Sequence, residues 1–181
     1  MGALRYLGRG FTSNDCEEGT AISQEVHRVF FHKFIEVGST VLYDKYVQPV
    51  TTKEELAKHT AKFEMAGMPG THASSDATSI IHERCAWRLR RIHKGWKSKH
   101  PTRTYNMTVN HRRRILGTTR GHPGSLNDKT VVLFDTYIKA IKRGEILQEN
   151  IFTLLEKRGC KIVEVKYQGV WLVVDNGYQD W

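Results

Sequence analysis

The sequence predicts an α/β protein in which a mixed β-sheet is flanked by helices and preceded by a small helical segment. Up to about residue 67, apolar residues recur at three- and four-residue intervals, which is typical of amphipathic helices. Extended segments begin after that point, and the chain closes on "VWLVVDNG", an apolar run followed by turn residues. We therefore expect a helical lead-in over 1–67 and an α/β domain over 68–181.

Three helices are predicted in the first forty residues. They are "ALRYLGRG", "TSNDCEEGT" with Ser13 or Asn14 as its cap, and "QEVHRVFFHKFIEV" after Ser23, with an apolar stripe from Val26 to Val37. This order is that of a helix-turn-helix, and a plain helical support for the next domain is an equally weighted alternative. The recognition face of the third helix would then offer Gln24, His27, Arg28, His32 and Lys33.

The remaining elements are predicted from turn residues and from the change of the apolar pattern from helical to strand-like periodicity. "TTKEELAKHTAKFEMAG" predicts a helix, "THASSDAT" a strand that carries Asp76, and "RTYNMTVNH" with "RRILGTTRG" a hairpin. A helix is expected from Ser125 or Asn127 to Gly144, and a further helix, "ILQENIFTLLEKRG", ends at Gly159. "KIVEVKYQGVWLVVDNG" then gives two strands, and the apolar second strand is expected to be central in the sheet.

The charge distribution indicates an anionic partner. The net charge is +9, and twelve Lys or Arg residues lie between Arg84 and Asn127 without one Asp or Glu. Nucleic acid is the favoured partner over other polyanions, and Trp87 and Trp96 lie among the cations, where stacking on bases is an option. The candidate nucleic-acid-binding residues are Arg88, Arg90, Arg91, Lys94, Lys97, Lys99, Arg112, Arg113 and Arg114.

The sequence argues against secretion and against a membrane protein. No apolar run approaches the roughly 20 residues of a membrane span, and the first residues lack the features of a signal peptide. Three widely spaced cysteines do not suggest a disulfide framework. We expect a nuclear or cytoplasmic protein, and the oligomeric state is left open.

Two acids follow or punctuate strands in this layout, namely Asp76 and Asp175. Neighbouring strands would bring both carboxylates to one edge of the sheet, where ligands of open α/β sheets bind. A hard divalent cation, Mg²⁺ or Mn²⁺, suits such a pair, and beside a basic segment it would act on phosphodiesters. The simpler reading of "DNG" alone is a turn.

Three segments resemble one known family. "AGMPGTHASSDATS", "YNMTVNHRRRILGTTRGHPGSLNDKT" and "VWLVVDNGYQDW" are similar, in this order, to the segments of Harbinger-type DDE transposases that carry metal-binding aspartates. The resemblance implies a ribonuclease-H-like fold, with Asp76 and Asp175 as catalytic residues and Mg²⁺ or Mn²⁺ as cofactor. It also implies DNA as substrate, with an accessory DNA-binding protein as a further partner. Asp128 aligns with an additional metal ligand of the family, and an acid in the first turn of a helix is its equal alternative.

The sequence departs from the family pattern at two positions. Ser79 replaces the histidine of Asp-x-Thr-His, and the family glutamate lies on a helix beyond the last strand, where this chain has ended. Glu145, Glu149 and Glu156 are expected on helices in the wrong topological position. We therefore expect weakened metal binding and slow or absent cleavage.

Three function hypotheses follow. The first is a transposon-derived DDE endonuclease or transposase domain, the second a catalytically inactive DNA-binding remnant, and the third a purely structural fragment. The sequence also contains His82, Cys85, His93 and His100, but their spacing matches no common zinc motif, so histidines at the surface or on phosphates are favoured over a zinc site.

Overall fold

The computed structural model describes residues 2–175 and Tyr178, and these divide into two compact units. The first unit covers residues 1–46 and the second covers 47–181. The division therefore falls earlier than the expected boundary at 67–68. The helix at Lys53–Met65 belongs to the second unit because it packs against that unit's first strand.

The first unit is entirely helical. Its elements are α1 (Gly2–Arg9), α2 (Ser13–Thr20), α3 (Gln24–Val37), a π-helical turn (Gly38–Leu42) and α4 (Tyr43–Tyr46). The cap of α2 is Thr12, one residue before the predicted Ser13. Its hydroxyl accepts from the backbone N–H of Asp15, whose carboxylate accepts from the Thr12 N–H in return.

The apolar stripe predicted on α3 is not the face that α1 and α2 cover. Tyr6 of α1 stacks on Phe31 at 4.4 Å between ring centroids, and the Thr20 hydroxyl is hydrogen-bonded to His27 Nε2 at 2.8 Å. His27 is therefore buried rather than part of an open recognition face, while Val26 and Phe30 are exposed. The helix-turn-helix interpretation stays a prediction.

The second unit is built on a mixed sheet of five strands. The strands are β1 (Thr71–Ile81), β2 (Thr102–Val109), β3 (Ile115–Thr118), β4 (His122–Pro123) and β7 (Trp171–Val173). The order is β3-β2-β1-β7, with β4 also paired to β2; β2 is antiparallel to β1, and β7 is parallel to it. The predicted mixed sheet with flanking helices is thus confirmed.

The helices of this unit complete its core. They are α5 (Lys53–Met65), a 3₁₀ turn (Trp87–Leu89), α6 (Arg90–His93), α7 (Asp128–Val132) and α8 (Thr136–Lys142). Leu56 of α5, Leu116 of β3 and Tyr137 of α8 share one buried cluster. Gly117 allows this approach, because an added Cβ would lie 2.6 Å from the Cβ of Tyr137.

The best-buried face of β2 is polar. Its alternate residues Thr102, Thr104, Asn106 and Thr108 are buried, and so is Asn110 directly after the strand. Burial of such groups is tolerated only when each is hydrogen-bonded. The Thr108 hydroxyl donates to Ser75 Oγ at 3.1 Å, and the Asn106 N–H donates to Thr119 Oγ1 at 2.9 Å. The packing of this sheet therefore depends on matched polar partners as well as on apolar contacts.

Two helix predictions are wrong. The helix expected up to Gly144 is broken between α7 and α8, because the Asp135 carboxylate accepts from the N–H of Ile138 and caps a new helix. "ILQENIFTLLEKRG" forms β5 (Ile151–Arg158), which pairs with β6 (Lys161–Gln168) in a separate hairpin. Gly159 has a positive φ of 63° in the two-residue turn between the strands, a conformation that glycine adopts without steric strain.

The last strand is not central. Among the described residues, β7 pairs with β1 alone and lies at the end of the sheet order. Trp171 at its start is about half exposed (48%), and its ring contacts Phe152 of the hairpin. The apolar composition of the strand therefore reflects packing against the β5–β6 hairpin and the helices rather than pairing on both edges.

Candidate functional site

Asp76 and Asp175 each lie two residues past the last register pair of two neighbouring parallel strands, β1 and β7. The last register pair between β1 and β7 is Ser74 with Val173; Asp76 lies two residues further along β1, and Asp175 lies two residues beyond the end of β7. Both side chains are exposed, and Asp76 Oδ1 accepts from the N–H of Ala77 at 2.7 Å. The two strands are neighbours, which is the condition that the sequence argument set for bringing both carboxylates to one edge.

Asp128 lies in the first turn of α7 and is partly buried. Asn127 supplies the helix cap, with its side-chain oxygen accepting from the Thr130 N–H at 2.8 Å, so the cap itself does not depend on Asp128. Asp128 Oδ2 forms an ion pair with the ammonium of Lys97. This contact joins the basic connection between β1 and β2 to the first turn of α7.

Tyr178 lies among the acids and was not anticipated from the sequence. Burial raises its pKa, and the surrounding charges of Asp76, Asp128 and Asp175 raise it further, with Asp135 contributing as well. The phenol therefore stays protonated, and it donates to Asn106 Oδ1 at 2.8 Å. The only sequence hint was the position of Tyr178 in "DNGY", within the segment that resembles the transposase family.

Asn106 is the centre of a buried polar network that includes Ser75, the residue before Asp76. Its amide nitrogen donates to Asp135 Oδ2 at 2.8 Å and to Ser75 Oγ at 3.0 Å. Asp135 in turn caps α8, so the network links β1, β2 and the helical layer. It holds the polypeptide around Asp76 and Tyr178 in one arrangement.

The three glutamates considered from the sequence each form an ion pair with a lysine or an arginine. Glu149 pairs with Lys53, Glu145 with Arg143, and Glu156 with Arg158. Glu156 lies on β5, and the other two lie in the connection before it, so the expectation that they sit on helices is wrong. None of these contacts involves the aspartates.

The candidate DNA-binding residues form two groups at opposite ends of β2. Arg88 through Lys99 belong to the β1–β2 connection, whereas Arg112 through Arg114 form the β2–β3 turn, in which Arg113 has a positive φ of 62°. At about 3.3 Å per residue, the eight residues of β2 separate the groups by roughly 25 Å. All nine side chains are exposed, with Arg114 paired to Glu55 at 2.7 Å.

Exposed tryptophans accompany the cations of the first group. Trp87 is 83% exposed and Trp96 is 85% exposed. The Arg90 guanidinium lies 5.5 Å from the Trp87 ring centroid, and the Lys97 ammonium lies 5.7 Å from that of Trp96. Flat aromatic faces beside cations are the composition of surfaces that stack on bases.

A group of potential metal ligands lies at the base of the same connection. Among the residues that the structure describes, His82, Cys85 and His93 form the group of three whose ligand atoms all lie within 4.8 Å of one another. Cys85 and His93 are buried and His82 is half-buried, so the favoured interpretation of surface or phosphate-binding histidines is wrong for this set. His100 is exposed.

Comparisons with protein-family models, curated proteins and solved structures found no match of any of the three kinds. Over residues 2–175, no helix combines the length and the apolar character that crossing a membrane requires.

Proposed function

We propose that this chain is a transposase-derived domain of the DDE type that binds DNA and uses Asp76 and Asp175 to hold a divalent cation for phosphodiester cleavage. The parallel pairing of β1 and β7, with both aspartates two residues past the last register pair, supports this proposal most directly. We propose a ribonuclease-H-like identity for the sheet on the same ground. Its order of strand, hairpin, helices and a final parallel strand, with the β5–β6 hairpin inserted before the last strand, supports this proposal.

The donor set fits a hard cation. Asp76 and Asp175 offer exposed carboxylate oxygens, the ligands that Mg²⁺ and Mn²⁺ prefer. Asp128 is a third oxygen donor and would exchange its Lys97 contact for the cation. Bound there, Mg²⁺ or Mn²⁺ would act as a Lewis acid at a phosphate oxygen.

The remaining side chains bind and orient the substrate in this proposal. The exposed cations of the β1–β2 connection neutralise DNA phosphates, and Trp87 and Trp96 stack on unpaired bases. Tyr178 stays protonated and fixes the Asn106 amide, which keeps β1 and β2 in register beneath Asp76. An accessory DNA-binding protein would be a second partner in a larger assembly.

A nicking assay with supercoiled plasmid tests the proposal. We expect nicked product in Mg²⁺ or Mn²⁺ and none in EDTA, and we expect Asp76→Asn and Asp175→Asn to remove it. Glu164→Gln, an exposed acid on β6, is the matched control and should keep full activity. Mn²⁺ binding followed by electron paramagnetic resonance should weaken in both aspartate variants, which separates loss of metal from loss of DNA.

A DNA-binding protein without catalysis is the second candidate. The Lys97–Asp128 ion pair favours it, since an ammonium already neutralises one of the three acids, and the aspartates do not form a close ligand group among the described residues. DNA binding that is unchanged in EDTA and in both aspartate variants, together with no nicking, would decide for this candidate.

A further inference from the structure

The β1–β2 connection folds back on itself through His82, Cys85 and His93. His82 directly follows β1, and the N–H of Cys85 donates to its carbonyl at 3.1 Å in a tight turn. His93 is the last residue of α6, and its ring meets that of His82 edge to face at 5.3 Å. Tetrahedral zinc holds its nitrogen and sulfur ligands roughly 3.4–3.6 Å apart. The ligand atoms of the three side chains lie within 4.8 Å of one another, so side-chain movements of about 1 Å would bring them to the distances that zinc requires.

The hydrogen bond of His93 leaves one ring nitrogen for a metal. His93 Nδ1 donates to the carbonyl of Thr102 at 3.1 Å in a buried contact. The neutral ring then carries its lone pair on Nε2. Metal-binding histidines usually donate their other N–H to a carbonyl or carboxylate in this way, which fixes the tautomer and the ring orientation.

His82 provides the second observation that points to a ligand. Its Nδ1 is buried and has no hydrogen-bond partner within the described structure. Buried polar atoms are rarely left in this state, because each has given up its contact with water. A cation coordinated by Nδ1 would satisfy it.

The surroundings supply charge balance and a fourth ligand. Deprotonated Cys85 would cancel half of the charge of a divalent ion, and sulfur with imidazole nitrogen is a donor set for zinc rather than for magnesium. His82 also lines a cavity of about 410 Å³, whose lining includes Glu83, Arg90 and His100. Water or His100 is available there for the fourth position.

We propose that His82, Cys85 and His93 bind Zn²⁺, and that the ion fastens the basic β1–β2 connection to the end of the β1–β2 hairpin. This site is separate from the aspartates and independent of catalysis. The ion would fix the turn from which Trp87, Arg88 and Arg91 extend.

Cobalt substitution of the full chain tests the binding. We expect one Co²⁺ per metal-free chain to give a thiolate-to-cobalt charge-transfer band in the near ultraviolet, and Zn²⁺ to displace this ion. Cys85→Ala should abolish the band, and so should His82→Ala, whose half-buried side chain is the safer change for folding. Cys160→Ala, at the exposed turn of the β5–β6 hairpin, is the control that should keep it.

Two further measurements, of thermal stability and of tryptic cleavage, test whether the ion fastens the β1–β2 connection. Zn²⁺ at about 100 times its dissociation constant should raise the Tm by roughly 5–11 °C. It should also slow tryptic cleavage within residues 84–99 in the wild type but not in Cys85→Ala. A wild type that shows no charge-transfer band at saturating Co²⁺, or a Cys85→Ala variant with the wild-type band, would overturn the site. Unchanged proteolysis with metal bound would overturn the fastening role.

Discussion

The buried His72 should make this protein sensitive to mild acid. His72 lies on β1 with no exposed surface, and burial lowers its pKa from 6.5 to about 4. Its contacts suit the neutral ring, since Nδ1 donates to the Trp171 carbonyl at 3.2 Å and Nε2 accepts from the Tyr137 hydroxyl at 2.8 Å. Protonation would break the second bond and leave a charge in the core.

The sign and size of the effect follow from proton linkage. As the pH falls from 6.5 towards 4, the unfolded chain binds a proton at this position and the folded chain does not, so stability is lost in that window. At about 1.4 kcal/mol per pH unit, the free energy of unfolding should fall by roughly 2–3 kcal/mol between pH 7 and about pH 4.5 through His72 alone.

Urea unfolding followed by circular dichroism measures this loss when the wild type is compared with His72→Gln. The variant should be less stable at neutral pH but should show a flatter dependence on pH over this range. The burial that lowers the pKa of His59 and of His122 acts in both proteins and cancels in the comparison. Parallel pH profiles for the two proteins would refute the assignment of the acid sensitivity to His72.

Two other predictions concern the polar network and the basic connection. Tyr178→Phe should lower the free energy of unfolding by about 1–3 kcal/mol, because the buried Asn106 Oδ1 loses its hydroxyl donor. Urea unfolding measures this change, and an unchanged midpoint would contradict the prediction. Arg88→Ala should reduce the slope of log affinity for duplex DNA against log salt concentration by about 0.9 if this exposed guanidinium neutralises a phosphate. Fluorescence anisotropy across a salt series measures that slope, and an identical slope in the variant would show that Arg88 makes no phosphate contact.

The helical elements with strong end signals were predictable from the sequence. For α5, Thr52 caps the start and Gly67 follows the end, and both signals stand at the limits of the segment "TTKEELAKHTAKFEMAG" that predicted the helix. The hairpin of β5 and β6 was not predictable in this way, because the apolar pairs in "ILQENIFTLLEKRG" fit a helix as well as a strand. Pairing with β6 and packing of Phe152 under Gly70 and against Trp171 decide the outcome, and none of these partners lies within the segment itself.

The acids of the site were predictable only where a strand-like segment of the sequence led up to them. Asp76 and Asp175 were found through the strands that carry them, whereas Asn106 and Asp135 look like ordinary polar residues until β2 and α8 are placed side by side. The His82, Cys85 and His93 group was considered from the sequence and rejected as a metal site for a related reason. Motif spacing describes ligands on common finger folds, and here the ends of a strand and of a short helix bring the ligands together.

The polar face of β2 restricts how this sequence can change. The Asn106 side chain is hydrogen-bonded to Ser75, Asp135 and Tyr178 at the same time. A substitution at any one of these four residues therefore leaves a donor or an acceptor on another residue without its partner. Contacting residues of this kind show strongly non-additive effects. In an alignment of sequences that share this fold, these four positions should therefore vary together rather than one at a time, even though they lie up to 103 positions apart in the chain.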